Sequence, residues 1–197
     1  MGLQNEIKNW QQYEGRQAFE EMGITEGSQV IDFGCGPGRY SLALSYAVGD
    51  SGQVFAFDTS GFRLREVEDE AHRQKRLNIE AVQSDGTGRL SFAKDGSVDA
   101  VLIYDLIHQI GSIRGTFLKD AFRVLKEDGI LSVLPFHMSQ WSVRKLSEEI
   151  ETYGFELTQT CPDVGVHFEM HEFLRGDRGH LDDMERGTVY NFRKQQK

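Results

Sequence analysis

The chain of 197 residues carries 22 lysines and arginines against 31 aspartates and glutamates, a formal net charge of −9. With 39% apolar residues, 27% charged residues and three prolines, it has the composition of a folded domain able to bury a core without disulfides, and a disordered chain is excluded. The acidic balance opposes a surface that tracks nucleic-acid phosphates, and no apolar run approaches the ~20 residues of a membrane span.

The segment 1–27 reads as helical, polar at its start and without the apolar core of a signal peptide, so a cytoplasmic location is expected. Its Trp10 and Tyr13 would let it fold over a site as a lid. Short β-rich runs then alternate with helical stretches. The predicted strands are Val30–Phe33, Val54–Phe57, Ile79–Gln83, Val98–Tyr104, Ile130–Leu134, Phe155–Thr160 and Val189–Phe192. Between them, Leu64, Val67 and Ala71 share a helical face, as do Phe117, Leu118, Ala121, Phe122 and Leu125, and again Val143, Leu146 and Ile150. Gly129 and Gly154 stand where two of these helices should stop. The stretch Asp163–Gly187 is left unassigned. There is no internal repeat or linker, so one α/β domain over 1–197 is expected: a doubly wound, mostly parallel seven-stranded sheet with helices on both faces. In that architecture the ligand crevice lies beyond the carboxyl ends of the strands.

The sharpest motif is Val-Ile-Asp-Phe-Gly-Cys-Gly-Pro-Gly, Val30 to Gly38, a buried strand running into three alternate glycines and then a helix from Tyr40. Glycines at such a turn remove the Cβ atoms that would keep a ligand off the backbone and permit unusual φ values. Arg39 stands where the dinucleotide fingerprint G-x-G-x-x-G needs its third glycine, which counts against an NAD-dependent oxidoreductase. Asp58, at the tip of the second strand, has the placement of an acid that accepts ribose hydroxyls; a helix-terminal Asp beside Thr59 and Ser60 is the plainer alternative. Ser84-Asp85-Gly86 follows the third strand and doubles as a turn dipeptide.

These residues, in this order and spacing, resemble motif I and the following motifs of the class I S-adenosylmethionine (SAM)-dependent methyltransferases. The match covers about residues 14–160 and is closest to the small-molecule (type 11-like) branch that includes quinone-biosynthesis enzymes. The resemblance implies SAM as cofactor. It implies that Asp32 orients the methionine amino group, that Gly34, Cys35, Gly36 and Gly38 cradle the methionine part, and that Asp58 and Thr59 hold the ribose. It also implies that Asp85 and Gly86 meet the adenine, and that backbone near Tyr104 and Asp105 lines the methionine end. No Asn-Pro-Pro-Tyr or Asp-Pro-Pro-Tyr follows strand four, and Cys35 and Cys161 are too few for an arsenite enzyme. A small-molecule acceptor is expected, with a non-catalytic SAM-binding module as the rival reading; the oligomeric state is not legible.

His108 and His137 each follow a strand at its carboxyl end, where side chains face the crevice. His108 is the candidate catalytic residue, a base for the acceptor's proton, with a hydrogen-bonded pocket histidine as the alternative; His137 reads as the latter. His167, Glu169 and His171 share a face if their stretch is a strand. A solvated polar face is the expectation there, with no metal.

Overall fold

A computed structural model describes residues 3–167 and 185–195. The predicted strands are all present, five of them longer than expected: β1 (Gln29–Phe33), β2 (Gln53–Asp58), β3 (Ile79–Gln83), β4 (Val98–Tyr104), β5 (Leu125–Leu134), β6 (Phe155–Val166) and β7 (Arg186–Lys194). They form a seven-stranded sheet in the order β3-β2-β1-β4-β5-β7-β6. The pairs from β3 across to β5 are parallel, and β7 runs antiparallel to both β5 and β6. From β1 the chain steps outward through β2 to β3, then returns to the other side of β1 as β4. That reversal parts the connections leaving β1 and β4 at their carboxyl ends and opens a crevice there.

Strand β4 shows why the sheet needs cover on both faces. Ala100, Leu102 and Tyr104 pack with Ile7, Trp10, Phe19 and Leu44, from helices α1 (Leu3–Gln12), α2 (Glu14–Glu21) and α3 (Arg39–Val48). Val101 and Ile103 point the other way, onto Phe117, Leu118, Ala121, Leu146 and Ile150 of helices α5 (Arg114–Val124) and α6 (Gln140–Thr152). A strand buried on both faces reads as a continuous apolar run, as Val-Leu-Ile-Tyr does. Helix α4 (Gly61–Arg73) lays Leu64 and Val67 over Ala56 and Cys35. Arg114 of α5 makes a two-pronged ion pair with Glu149 of α6, Nε to Oε1 at 3.0 Å and Nη2 to Oε2 at 2.8 Å, which fixes the two helices against each other.

Two expectations need correction. Gly129 does not stop a helix. Helix α5 ends at Val124, Leu125 is already extended (φ −66°, ψ 139°), and Gly129 lies within β5. Its lack of a side chain serves packing, because a Cβ there would sit 2.9 Å from Leu125 Cδ2 and 3.0 Å from the Lys126 carbonyl. Gly154, in contrast, does follow the end of α6 with φ +91°. The second correction concerns the unassigned stretch. Its first residues continue β6 as far as Val166, and its last two, Arg186 and Gly187, belong to β7. Trp10 is buried edge-on against Tyr40 at 5.7 Å, whereas Tyr13 is 71% exposed, so the two aromatics of the amino-terminal segment serve different surroundings.

Candidate active site

The glycine turn is pinned from outside. The amides of Gly34 and Cys35 both donate to the carbonyl of Phe57 at the end of β2. All three glycines are left-handed, with φ of +77°, +51° and +78° for Gly34, Gly36 and Gly38. At Gly34 a Cβ would come within 2.1 Å of Leu106 Cδ2, and at Gly38 within 2.7 Å of Val67. A Cβ at Gly36 would meet nothing within 4 Å. The first and third glycines therefore fit the protein to itself, while the middle one borders open space a ligand can enter. The Gly36 amide donates to Asp58 Oδ2 at 3.0 Å, and the Ser60 amide donates to Asp58 Oδ1 at 2.8 Å. Ser60, not Asp58, caps α4, with its hydroxyl accepting from the Arg63 amide. Each carboxylate oxygen of Asp58 keeps acceptor capacity beyond these bonds.

A cavity of about 220 Å³ opens beside this carboxylate, with Phe33, Phe57, Leu106, Ile110 and Ile113 as its apolar walls. Gly34, Asp58, Thr59, Ser84 and Gly86 complete it. A flat base between apolar walls with polar groups along one edge is what this lining suits. The apolar walls escaped the sequence reading because Leu106, Ile110 and Ile113 lie in the turns between β4 and α5, where no strand or helix period marks them. The Asp85 side chain is fully exposed and does not line the cavity. Its Oδ1 accepts from the Thr87 hydroxyl (2.7 Å) and amide (2.9 Å), which hold it below the usual carboxylate range. A groove of about 620 Å³ lies elsewhere, between α1 and α4, and includes none of the predicted cofactor residues.

Three predicted residues are turned inward. Asp32 is 2% exposed and accepts from the Ser41 hydroxyl at 2.6 Å; burial raises its carboxyl to about 6, with the Asp58 charge adding to the rise. Cys35 is buried beneath α4, and burial pushes its thiol far up, so the residue packs and does not react. Tyr104 stacks on Phe19, and its hydroxyl pairs with that of Ser132 at 2.8 Å. Only its backbone stands at the crevice end of β4.

Beyond β4 and β5 the structure gathers residues that the sequence reading kept apart. Asp105 and His137 both have left-handed backbones, φ +53° and +60°. His137 Nε2 lies 3.2 Å from His167 Nε2, and His167 Nε2 lies 3.1 Å from Asp105 Oδ2. The His108 ring stands edge-on to His137 at 5.6 Å, and its Nδ1 is buried without a hydrogen bond. His167 is 8% exposed and stacked on Phe136 at 4.7 Å, which corrects the expected solvated face; Glu169 and His171 lie outside the described residues. Tyr40 fixes the residue before it, its hydroxyl donating to the Val166 carbonyl and accepting from the Val166 amide.

The chain resembles known proteins in both sequence and shape. It is 36% identical over 112 residues to a demethylmenaquinone methyltransferase of Lactococcus lactis, covering 56% of this chain and 43% of that one. It is 29% identical over 146 residues to the ubiquinone/menaquinone biosynthesis C-methyltransferase UbiE of Pseudoalteromonas translucida, covering 74% of this chain and 56% of that one. It thus spans about half the length of these curated relatives. A SAM-dependent methyltransferase from Aquifex aeolicus has the same fold, with a TM-score of 0.71 at 20% identity over 95% of this chain and 97% of that one. The model of the ubiE/COQ5 methyltransferase family matches residues 4–172, and the chain belongs to that family.

Proposed function

We propose that the chain is a SAM-dependent methyltransferase acting on a small-molecule acceptor. The observation that carries this reading is the Asp58 carboxylate, held by the Gly36 and Ser60 amides at the mouth of an apolar cavity, in a chain of this family. Asp58 and Thr59 would take the ribose hydroxyls, and the cavity walls the adenine, with Gly86 beside it; Asp85, turned to solvent and bonded to Thr87, would stand outside the cavity. The open side of Gly36, the backbone of Cys35, Gly38 and Tyr104, and the carboxyl of Asp32 would hold the methionine end. SAM, when bound, supplies a methyl group already activated on a sulfonium. The protein's part is to align the acceptor with the methyl in line, exclude water, and receive a proton. His108, just beyond the end of β4, would be the group that receives it.

The demethylmenaquinone methyltransferase among the relatives puts demethylmenaquinone first among acceptors to assay. Among the described residues no helix is long and apolar enough to cross a membrane. The test is ligand binding. SAM and S-adenosylhomocysteine should each raise the melting temperature, by ~2.7 kcal/mol of stability at 100 times the dissociation constant, and NAD should not. A shift with NAD alone overturns the assignment. Turnover of SAM against an acceptor panel then separates an enzyme from a binding module.

A further inference from the structure

We infer that Asp105, His137 and His167 form a binding site for one divalent first-row transition-metal ion, on the acceptor side of the crevice. The three residues come from the ends of β4, β5 and β6, which are not all neighbours in the sheet. Their donor atoms nevertheless converge, all within 4.8 Å of one another. The separations are 3.1 Å (His167 Nε2 to Asp105 Oδ2), 3.2 Å (His137 Nε2 to His167 Nε2) and 3.7 Å (His137 Nε2 to Asp105 Oδ1). Nitrogen and oxygen ligands held at ~2.0–2.2 Å from one tetrahedral ion stand about 3.3–3.6 Å apart, the range these separations bracket.

Hydrogen bonding alone serves the cluster poorly. A proton on His167 Nε2 can point at Asp105 or at His137, not squarely at both. His137 is too far from Asp105 Oδ1 to bond it, and that oxygen is left buried without a hydrogen bond. A cation between the three satisfies every one of these atoms together.

The surroundings hold the ligands in place. The Tyr40 hydroxyl clamps both the amide and the carbonyl of Val166, Phe136 stacks on the His167 ring, and the Asp105 amide donates to the Leu134 carbonyl. Two ligands with left-handed backbones, neither of them glycine, mark a conformation that local preference alone would not select. Two imidazoles and one carboxylate favour zinc, iron or cobalt over magnesium, and three protein ligands leave coordination positions open. His137 also lines a cavity of about 230 Å³ with Phe136, Met138 and Tyr190. A small acceptor bearing a hydroxyl or enol oxygen would reach the ion from there. This last assignment of ligand class rests on the methyl-transfer reading; the ion site does not.

The experiment uses the purified full chain stripped of metal with a chelator, then titrated with Co²⁺ in the absence of SAM. One Co²⁺ per chain, with visible absorption and displacement by Zn²⁺ but not Mg²⁺, is expected. His137 is half exposed, so His137→Ala should fold and should weaken Co²⁺ binding at least tenfold, as should Asp105→Asn. His72→Ala, an exposed histidine on α4, should bind as the native protein does. Absence of saturable binding, or native affinity in His137→Ala, overturns the site. SAM titration of the same stripped protein reports on the methyl-transfer reading separately, so the two can fail independently.

Discussion

Asp32 couples folding, pH and the proposed cofactor at a single carboxyl. Its value of about 6 in the fold, against about 4 in an unfolded chain, means that the folded state holds the proton more tightly. The stability this contributes is full below about pH 4 and is lost as the pH rises through 6. Native protein minus Asp32→Asn should therefore lose up to about 3 kcal/mol of relative stability between pH 4 and pH 7, read by urea melts of both. If the SAM amino group pairs with Asp32, binding should release a proton near pH 6, visible as a buffer-dependent enthalpy. Asp58 makes a different case, since its oxygens hold the Gly36 and Ser60 amides before any ligand arrives. Asp58→Ala should cost the unliganded protein about 1–3 kcal/mol and also lower SAM affinity by tenfold or more, by melts and calorimetry. For His108→Ala, SAM binding should stay intact while turnover falls ~100-fold if the imidazole is a general base; a loss confined to the acceptor KM would make it a wall. The meeting of Asp58 with the glycine turn was legible because both follow strand ends at a short, fixed spacing. The partnership of Asp105, His137 and His167 was not, since it depends on where three strand ends from distant parts of the chain come to rest.

At the scale of elements, the strands were readable as short apolar runs, because burial on both faces leaves few polar positions, and most helices as the period of 3.6 that burial on one face imposes. The end of α5 was misread, because a glycine four residues into a strand looks, on paper, like a helix stop. The two kinds of glycine in the turn after β1 can be separated by substitution. Gly36→Ala has room for its methyl group but must hold φ near +51°, so it should fold with a loss of about 1–2 kcal/mol while SAM binding is largely blocked. Gly34→Ala meets Leu106 and should be destabilised more, by melts run side by side. A binding loss in Gly34→Ala but none in Gly36→Ala would remove the open side of the turn from the ligand site.

For the molecule as a whole, the doubly wound half from β1 to β5 was legible as a repeating pattern, whereas the place of β7 was not. The β-branched and aromatic residues of Val189–Phe192 announce a strand but say nothing of its neighbours. The structure puts β7 between β5 and β6, hydrogen-bonded to both. Its inward residues Val189 and Phe192 complete the two core faces. This has a consequence for a chain emerging from the ribosome. The parallel half from β1 to β5 can collect its strands in the order they are made, but β5 keeps an open edge and β6 has no partner strand until residues 186–194 arrive. His167, at the end of β6, is then among the last site residues to reach its place, long after the glycine turn has closed. A nascent chain paused before residue 186 should present that edge to chaperones, and removal of 186–197 should leave protein that aggregates instead of a smaller stable domain. Closure of the antiparallel edge thus waits for β7, the seventh strand in chain order, although it lies between the two strands it joins.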